Sequence, residues 1–554
     1  MTLIAGVDIG NSTTEVVIAD TSSFPPQPCA WDRVPTHGLK GSPEATRRAA
    51  RVVQRLARRS GFIPDLVAMT AQQPVLTGVH SLPRVQRAPG RLVILDDHPM
   101  TPAGSGVACG RPIAQRAEPP RGIAVILVAS DPLSYRATAD TINRWRSNGI
   151  DLRGALLAGD EARLVHARIG ADLVIVDRVN SEQALRCDLI ALEVNDYVIG
   201  PIADPLYLVA HLDLLPDEIS DATIVAGAVR GSRCAVIGRL PIAVSRELHP
   251  AGFLTFTDGF VAGLDEAHDQ LAARPVGSAA HLVFANGAHQ DVSDAWVVDI
   301  QSLGSPAALR RASTTPELAV STLATVGDAT VAELAFQEVN SLPILIVGDE
   351  ARAAALGART TPGCAENTVV LDLGGGTIDI ITDGSVTGAG SGDLLSACIG
   401  SLAGISLGAA EWVKQGPAFR IDTPSIASRE TQTQDFLPTE VPGSLVGWLA
   451  VNGPTGALPF SRNLTLGDWR QLRLAAKRAV IEDNVRRISG GLQIDSPTAV
   501  AVGGPVGDRE ILECLSSALP ALAIGRGDVA GTLGHRFAVA YGLVLLAAQE
   551  MQRT

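Results

Sequence analysis

Apolar positions along the chain fall mostly in short continuous runs and seldom in long amphipathic stripes. Residues 3–9 (LIAGVDI) make one run, Gly10 and Asn11 break it, and Thr14–Ala19 resume it, a pattern that predicts strand, tight turn and strand. Ser42 precedes an Arg-rich segment, 43–59, whose apolar residues recur at helical spacing, so a serine-capped helix is expected. GIAVILVAS (122–130) reads as a buried strand, 137–148 as a helix, and 154–177 as strand, helix and strand. Short apolar strands alternating with helices predict a parallel sheet there. Beyond Pro343 the pattern predicts a strand at 344–347, an Ala-rich helix at 350–358, a strand pair at 368–382 and a strand at 499–502. Residues 80–121, with Pro, Gly and Arg throughout, read as a linker or the entry to another domain, and 415–470 as an insertion with long loops. The stretch 250–340 is mixed.

Composition narrows the class. At 554 residues, with 46% hydrophobic positions and a mean hydropathy of +0.21, the chain is long enough for several folded domains without disulfide staples. Aromatics are only 4%, so Ala, Val, Leu and Ile must build the cores. Acidic residues exceed basic ones, 58 to 45, and the formal charge of -13 argues against nucleic acid or anionic membrane as a partner. Seven scattered cysteines, none at C-x-x-C spacing, suggest neither a zinc site nor a disulfide framework. The opening MTLIAGVDIGNS has no basic n-region, and the longest apolar stretch, Phe537–Ala548, is short for a bilayer span. A cytoplasmic protein is expected.

The most informative feature is an internal echo. GVDIGNSTTEVVIAD near the start parallels VLDLGGGTIDIITDG at 370–384. Each copy is an apolar strand ending in Asp, a turn of Gly and small hydroxyl residues, and a second strand. Consecutive N–H groups in such a turn, with no Cβ in the way, cradle phosphate oxygens. The strand-end Asp can hold hydrated Mg²⁺ against them. One D-x-G turn alone is an ordinary hairpin. Two in duplicated units predict a nucleotide clamp formed by Asp8, Gly10, Asn11, Ser12 and Thr13 on one side and Asp372, Gly374, Gly375, Gly376 and Thr377 on the other.

These residues carry a resemblance. LDLGGGTIDIIT (371–382) resembles the second phosphate loop of DnaK-type heat-shock chaperones in the actin and sugar-kinase superfamily, and GVDIGNSTTEVV (6–17) is similar to the first. VGDEARAAALGA (347–358) resembles the connecting helix, with Glu350 as its Glu; AVAVGGPVGD (499–508) resembles the adenosine loop, with Gly503 and Gly504. RLAAKRAVIED (473–483) is similar to the helix whose Lys-Arg pair, here Lys477 and Arg478, flanks adenine, but has Ile481 where the chaperones have Ser. The resemblance implies ATP or ADP with Mg²⁺ as ligands and a catalytic set of Asp8, Glu350 and Asp372. It also implies a catalytic Lys outside these loops. Of the chain's three lysines (Lys40, Lys414, Lys477) none lies in a matching context, Lys40 included, so slow hydrolysis is expected.

IAGVDIGNSTTEV, DEARAAALGARTTPG (349–363), GDL after GAG (388–394) and GRGD…AVAYGLVL (525–545) together resemble a narrower family, the large subunit of diol and glycerol dehydratase reactivating factors. The implied fold is α/β: a duplicated actin-like (ribonuclease H-like) ATPase domain with an inserted α/β swivelling domain. The boundaries expected are 1–87, 301–414 and 471–554 for the ATPase parts, 88–240 for the swivelling domain, 241–300 for a linker region and 415–470 for an insert. Family position places Asp528 near the nucleotide. It also implies a divalent cation, Mg²⁺ or Ca²⁺, at Thr101, Asp160 and Asp177. Read from the residues alone, Asp160 caps a helix at 161–169 and Asp177 ends a strand, and Glu161 is an alternative to Asp160. The activity implied is ATP-dependent, chaperone-like release of damaged cobalamin from adenosylcobalamin-dependent diol or glycerol dehydratase. The implied partners are that enzyme and a small subunit, two copies of each chain forming a heterotetramer. A polyol or sugar kinase of the same superfamily and an actin-like filament protein are the alternatives.

Overall fold

The computed structural model describes residues 2–38, 40–71, 75–83, 85–86, 90–96, 102–130, 134–170, 172–195, 199–229, 232–241, 249–250, 252–284, 288–312, 317–325 and 332–553. They fall into two compact units, one of Met1–Arg84, Pro250–Ala308 and Glu317–Thr554, the other of Val85–His249 with Leu309–Pro316.

The larger unit contains the same sheet twice. In the first, strands run in the order Gln27–Pro35, Thr13–Asp20, Leu3–Ile9, Leu66–Met69, Ile344–Ile346. In the second the order is Ser385–Ala389, Thr377–Ile381, Val369–Leu373, Thr498–Gly503, Ala523–Arg526. Each begins with two antiparallel pairings and ends with two parallel ones. Registers correspond as well: Asp8 lies opposite Glu15, and Asp372 opposite Asp379. The echo in the sequence is therefore an echo in topology.

Helices cover both faces of the first sheet, so its central strand reads as one apolar run. On one face lies Pro43–Ser60, whose N-cap Ser42 accepts from the Ala45 N–H. Its Ala49, Val53 and Leu56 share a core with Ala5, Val7 and Ile9. The other core is built around the helices Ala538–Arg553, which carries all but the first residue of the apolar stretch Phe537–Ala548, and Glu350–Ala358. These two helices touch backbone to backbone: a Cβ on Gly542 would sit 1.8 Å from the Ala353 carbonyl oxygen, and one on Gly357 1.9 Å from that of Ala538. That contact explains why Gly and Ala stand where the two helices cross. Among the described residues no single helix is long and apolar enough to cross a membrane.

Three further sheets belong to this unit. Residues expected to form a linker supply a four-stranded antiparallel sheet, Val261–Gly263, Gly252–Phe256, Ala279–Phe284, His289–Asp291. Asp294–Asp299 pairs with Glu317–Thr325, which pairs with Val75–Pro83. The 415–470 segment, expected as long loops, is a five-stranded antiparallel sheet of short strands around Phe419, Ile421, Ala427 and Ala450. Its Pro, Gly, Ser and Thr residues interrupt the apolar alternation often enough to hide strands of three to six residues. A fully buried ion pair, Asp294 with Arg487 at 2.7 Å and both 1% exposed, ties the second of these sheets to the helix Asp483–Ser489. Asp294 also accepts from the Ala389 N–H.

The smaller unit holds a seven-stranded sheet in the order Val174–Val176, Leu152–Leu157, Val125–Ala129, Gly106–Ala114, Leu189–Val194, Cys234–Arg239, Leu92–Asp96. The parallel sheet expected here is only half of it. The first four strands are parallel, whereas Leu189–Val194 and those beyond it pair antiparallel. Gly106–Ala114 joins the two halves, and it lies in the Pro- and Gly-rich stretch where no strand was expected.

Candidate functional site

The two Gly turns of the larger unit face one cavity of about 300 Å³. Their equivalence is atomic. Gly10 N–H donates to the Thr13 carbonyl at 2.9 Å, and Gly374 N–H to the Thr377 carbonyl at 2.9 Å. Thr13 Oγ1 donates to Glu15 at 3.4 Å, and Thr377 Oγ1 to Asp379 at 3.3 Å. Ser12 of the first turn donates to both oxygens of Asp393 at 3.0 Å. Asp393 opens the helix Gly392–Ala403 that follows the second hairpin. Gly375 is required where the turns meet, since a Cβ there would lie 1.9 Å from Ser12 Oγ. Gly503, at φ +94°, lies against the second loop, where a Cβ would stand 2.1 Å from the Leu373 carbonyl and 2.7 Å from Asp372 Oδ1.

Asp8, Gly10, Asn11, Ser12, Thr13, Glu350, Asp372, Gly374, Gly375, Thr377, Gly503 and Gly504 all line this cavity. Gly376 belongs to the same turn but packs against Thr77. Three further expected residues do not line the cavity. Lys477 is 0% exposed and its ammonium pairs with Asp508 and Glu510, so it supports the wall that Asp508 lines. Arg478, the next residue, is exposed. Asp528 holds its own loop together, accepting from the Gly534 N–H at 3.1 Å.

The lysine for which the sequence offers no matching context is here. Lys40, on the turn before the first helix, reaches into the cavity and pairs with Glu350; its side chain is 12% exposed and that of Glu350 46%. Burial alone would lower its pKa, but Glu350 and Asp8 raise it above the ordinary value, so it is a cation at neutral pH. The carboxylates move the other way. Burial, then Glu350, pushes Asp8 up to about 7 against the opposing pull of Lys40. Burial and Asp8 raise Glu15 to about 8, and burial raises Asp379 to about 6. Asp372 is held well above the usual range by burial and by Asp379. Crowded carboxylates of this kind ionise readily only when a cation joins them.

Sequence reasoning missed Glu15, Asp379, Asp393, Lys414, His535 and Arg536, all of which line the cavity. Glu15 and Asp379 were legible in principle, as matching acidic residues seven positions after Asp8 and Asp372. The other four come from distant segments and carry no local signal.

A divalent cation fits the donor set in one sense only. Among the described residues no three His, Cys, Asp or Glu side chains converge as a ligand cluster. Asp8 and Asp372, whose buried carboxylates line the cavity, are the residues that would hold Mg²⁺. In the smaller unit Asp160 pairs with Arg178 at 2.6 Å, Asp177 is fully buried at the end of Val174–Val176, and Thr101 lies outside the described residues. The first residue of the helix expected at 161–169 is Ala162, with Glu161 and not Asp160 at the N-cap.

Two copies of one sheet, each presenting an Asp–Gly hairpin to a shared cleft, define an actin-like ATPase fold. Residues 307–547 match the family model described as the diol dehydratase reactivase ATPase-like domain, and residues 93–243 that of the DD-reactivating factor swiveling domain. The propanediol dehydratase-reactivating factor large subunit of Salmonella typhimurium is 27% identical, with 98% of each chain covered. The diol dehydratase-reactivating factor large subunit of Klebsiella michiganensis is 26% identical over the same shares. The solved structure of diol dehydratase-reactivating factor in nucleotide-free form superposes with a TM-score of 0.58 at 24% identity, covering 99% of this chain and 100% of that one. A glycerol dehydratase reactivase gives 0.57 at 23%. The chain belongs to the family of dehydratase-reactivating-factor large subunits.

Proposed function

We propose that this chain restores activity to a diol or glycerol dehydratase that has lost its intact adenosylcobalamin, by loosening the enzyme so that damaged cobalamin leaves. The observation that carries this reading is the end-to-end match to reactivating-factor large subunits, with both the ATPase-like and the swivelling domain present in one chain. The cleft supports the nucleotide half of the reading. ATP or ADP would lie with its phosphates between the turns 8–13 and 372–377 and its nucleoside toward Gly503 and Gly504.

Hydrolysis in such a site is electrostatic work. Asp8 and Asp372 would hold Mg²⁺, which when bound would offset phosphate charge, and Glu350 would orient the attacking water. Lys40 supplies positive charge where the transferring phosphoryl group gathers it, a role that nothing in its sequence context marks. A slow ATPase of this kind acts as a switch. A switch needs a partner whose affinity differs between the ATP and ADP states. We assign that part to a small subunit, two copies of each chain, bound tightly with ADP and released by ATP. A second divalent cation, Mg²⁺ or Ca²⁺, at Thr101, Asp160 and Asp177 belongs to the same proposal. Those three oxygens leave an octahedral ion short, so a partner carboxylate or water would complete it.

The test is direct. Glycerol-inactivated dehydratase is incubated with this chain, its small subunit, ATP, Mg²⁺ and fresh adenosylcobalamin, with a known reactivase as control. Recovery of diol turnover is expected. A dead enzyme beside a revived control would overturn the reading, and phosphorylation of a polyol in the same mixture would favour the kinase.

A further inference from the structure

Buried cations in the larger unit come with carboxylates in contact: Lys40 with Glu350, Lys414 with Glu411, Lys477 with Asp508 and Glu510, Arg473 with Glu430 and Glu510, and Arg487 with Asp294. That is the usual condition for taking a charge out of water. Arg536 departs from it. It is half-buried and lines the cleft, yet among the described residues no carboxylate oxygen lies within 4.0 Å of its guanidinium. Its one hydrogen bond there goes to the Gly504 carbonyl, at a long 3.4 Å. A guanidinium carries five N–H donors in a planar fork suited to phosphate. Four of them therefore have no partner among the described residues.

Its surroundings define the kind of group it suits. Burial and Arg33 both disfavour its charge, and Glu15 and Glu411 only partly compensate from a distance. Arg536 lines the same cavity as Gly10, Ser12, Gly374 and Gly375 of the two Asp–Gly turns. Gly504 leaves the space the guanidinium uses, because a Cβ there would lie 3.0 Å from Arg536 Nη1. The 16-residue helix Ala538–Arg553 starts two residues later, and its Val539 also lines the cleft, so the positive end of that helix adds to the same field.

We propose that Arg536 is the positioning residue for the polyphosphate of the bound nucleotide, a cation left without a carboxylate so that phosphate oxygens can take its donors. This rests on the nucleotide reading above and adds to it the residue that makes affinity depend on the phosphates more than on the nucleoside. Arg536 would tie the Gly503–Gly504 turn to the phosphates, so that both halves of the clamp close on one ligand.

The experiment measures binding of adenosine, AMP, ADP and ATP, with Mg²⁺, to the full chain and to its Arg536→Gln and Arg536→Lys variants. We expect Arg536→Gln to weaken ADP and ATP at least about tenfold while adenosine changes less than about twofold, with Arg536→Lys in between. An equal loss for adenosine and ADP would assign Arg536 a merely structural role, and unchanged ADP binding would assign it none; either overturns the inference. If the unsubstituted chain binds no ADP, the nucleotide reading itself falls. Should Arg536→Gln not fold, Arg536→Lys decides, since a lysine keeps the charge but loses the fork.

Discussion

Replacing Lys40 by alanine tests the cleft most sharply, because one cation there faces several carboxylates. Two unit charges about 4 Å apart at an effective dielectric near 20 interact by about 4 kcal/mol. Asp8 lies farther than that from the Lys40 ammonium, and Glu350, which is in contact with it, is 46% exposed, so distance and solvent both weaken the field. Keeping roughly a third of that energy leaves about 1.4 kcal/mol acting on Asp8, which is about one pKa unit. Asp8 titrates at about 7 with Lys40 present, so it is half ionised at pH 7. In Lys40→Ala it would titrate near roughly 8, leaving about a tenth ionised at pH 7. If ionised Asp8 holds the Mg²⁺–nucleotide complex, affinity for Mg²⁺–ADP at pH 7 falls about fivefold and recovers by about pH 9. Hydrolysis should fall further, by about 10²- to 10³-fold, because the charge on the transferring phosphoryl group is lost as well. Calorimetric titrations with Mg²⁺–ADP from pH 6 to 9, paired with phosphate-release assays, measure both. A variant whose pH profile overlays the unsubstituted protein would refute the electrostatic role given to Lys40.

Asp294→Ala should destabilise the larger unit by about 3–5 kcal/mol, since it strands the Arg487 guanidinium, 1% exposed, without its carboxylate; urea unfolding measures this, and a loss below about 1 kcal/mol would contradict the assignment. The nucleotide-free chain should lose stability as pH rises from about 4 to about 8. Asp8 and Glu15 have folded pKa values raised from 3.8 to about 7 and from 4.5 to about 8, so the stability they contribute is fully present below the lower values and is gone once pH passes the higher ones. Thermal melts should show the fall, Glu15→Gln with Asp8→Asn should flatten it, and Mg²⁺–ADP should reduce it. A melt that rises over the same range in the unsubstituted chain but not in the double variant would reverse the sign and reject this account.

Local pattern and chemistry carried much of the fold. The strand at Leu3–Ile9, the Ser42-capped helix, the helix at Glu350–Ala358 and both Asp–Gly hairpins were legible because their burial and turn requirements act over a few residues. The repeated motif even disclosed that the cleft is made twice, since Asp8 and Asp372 sit at the same point of the same strand–turn–strand unit. The short strands of 415–470 and the mixed sheet of the smaller unit were not legible: three- to six-residue strands give too few alternations to register, and strand direction depends on partners far away in the chain. Charges show the division most plainly. Lys477 sits in a segment similar to an adenine-binding helix, yet Asp508 and Glu510, more than thirty residues on, hold it in the wall behind the cavity. Lys40 has no motif around it and becomes the cation of the cleft because Glu350, 310 residues later, is brought to it. A sequence fixes which residues carry charge and which turns can cradle phosphate; which charges end up facing one another is decided only when distant segments pack, because electrostatic pairing acts through space and leaves no periodicity along the chain.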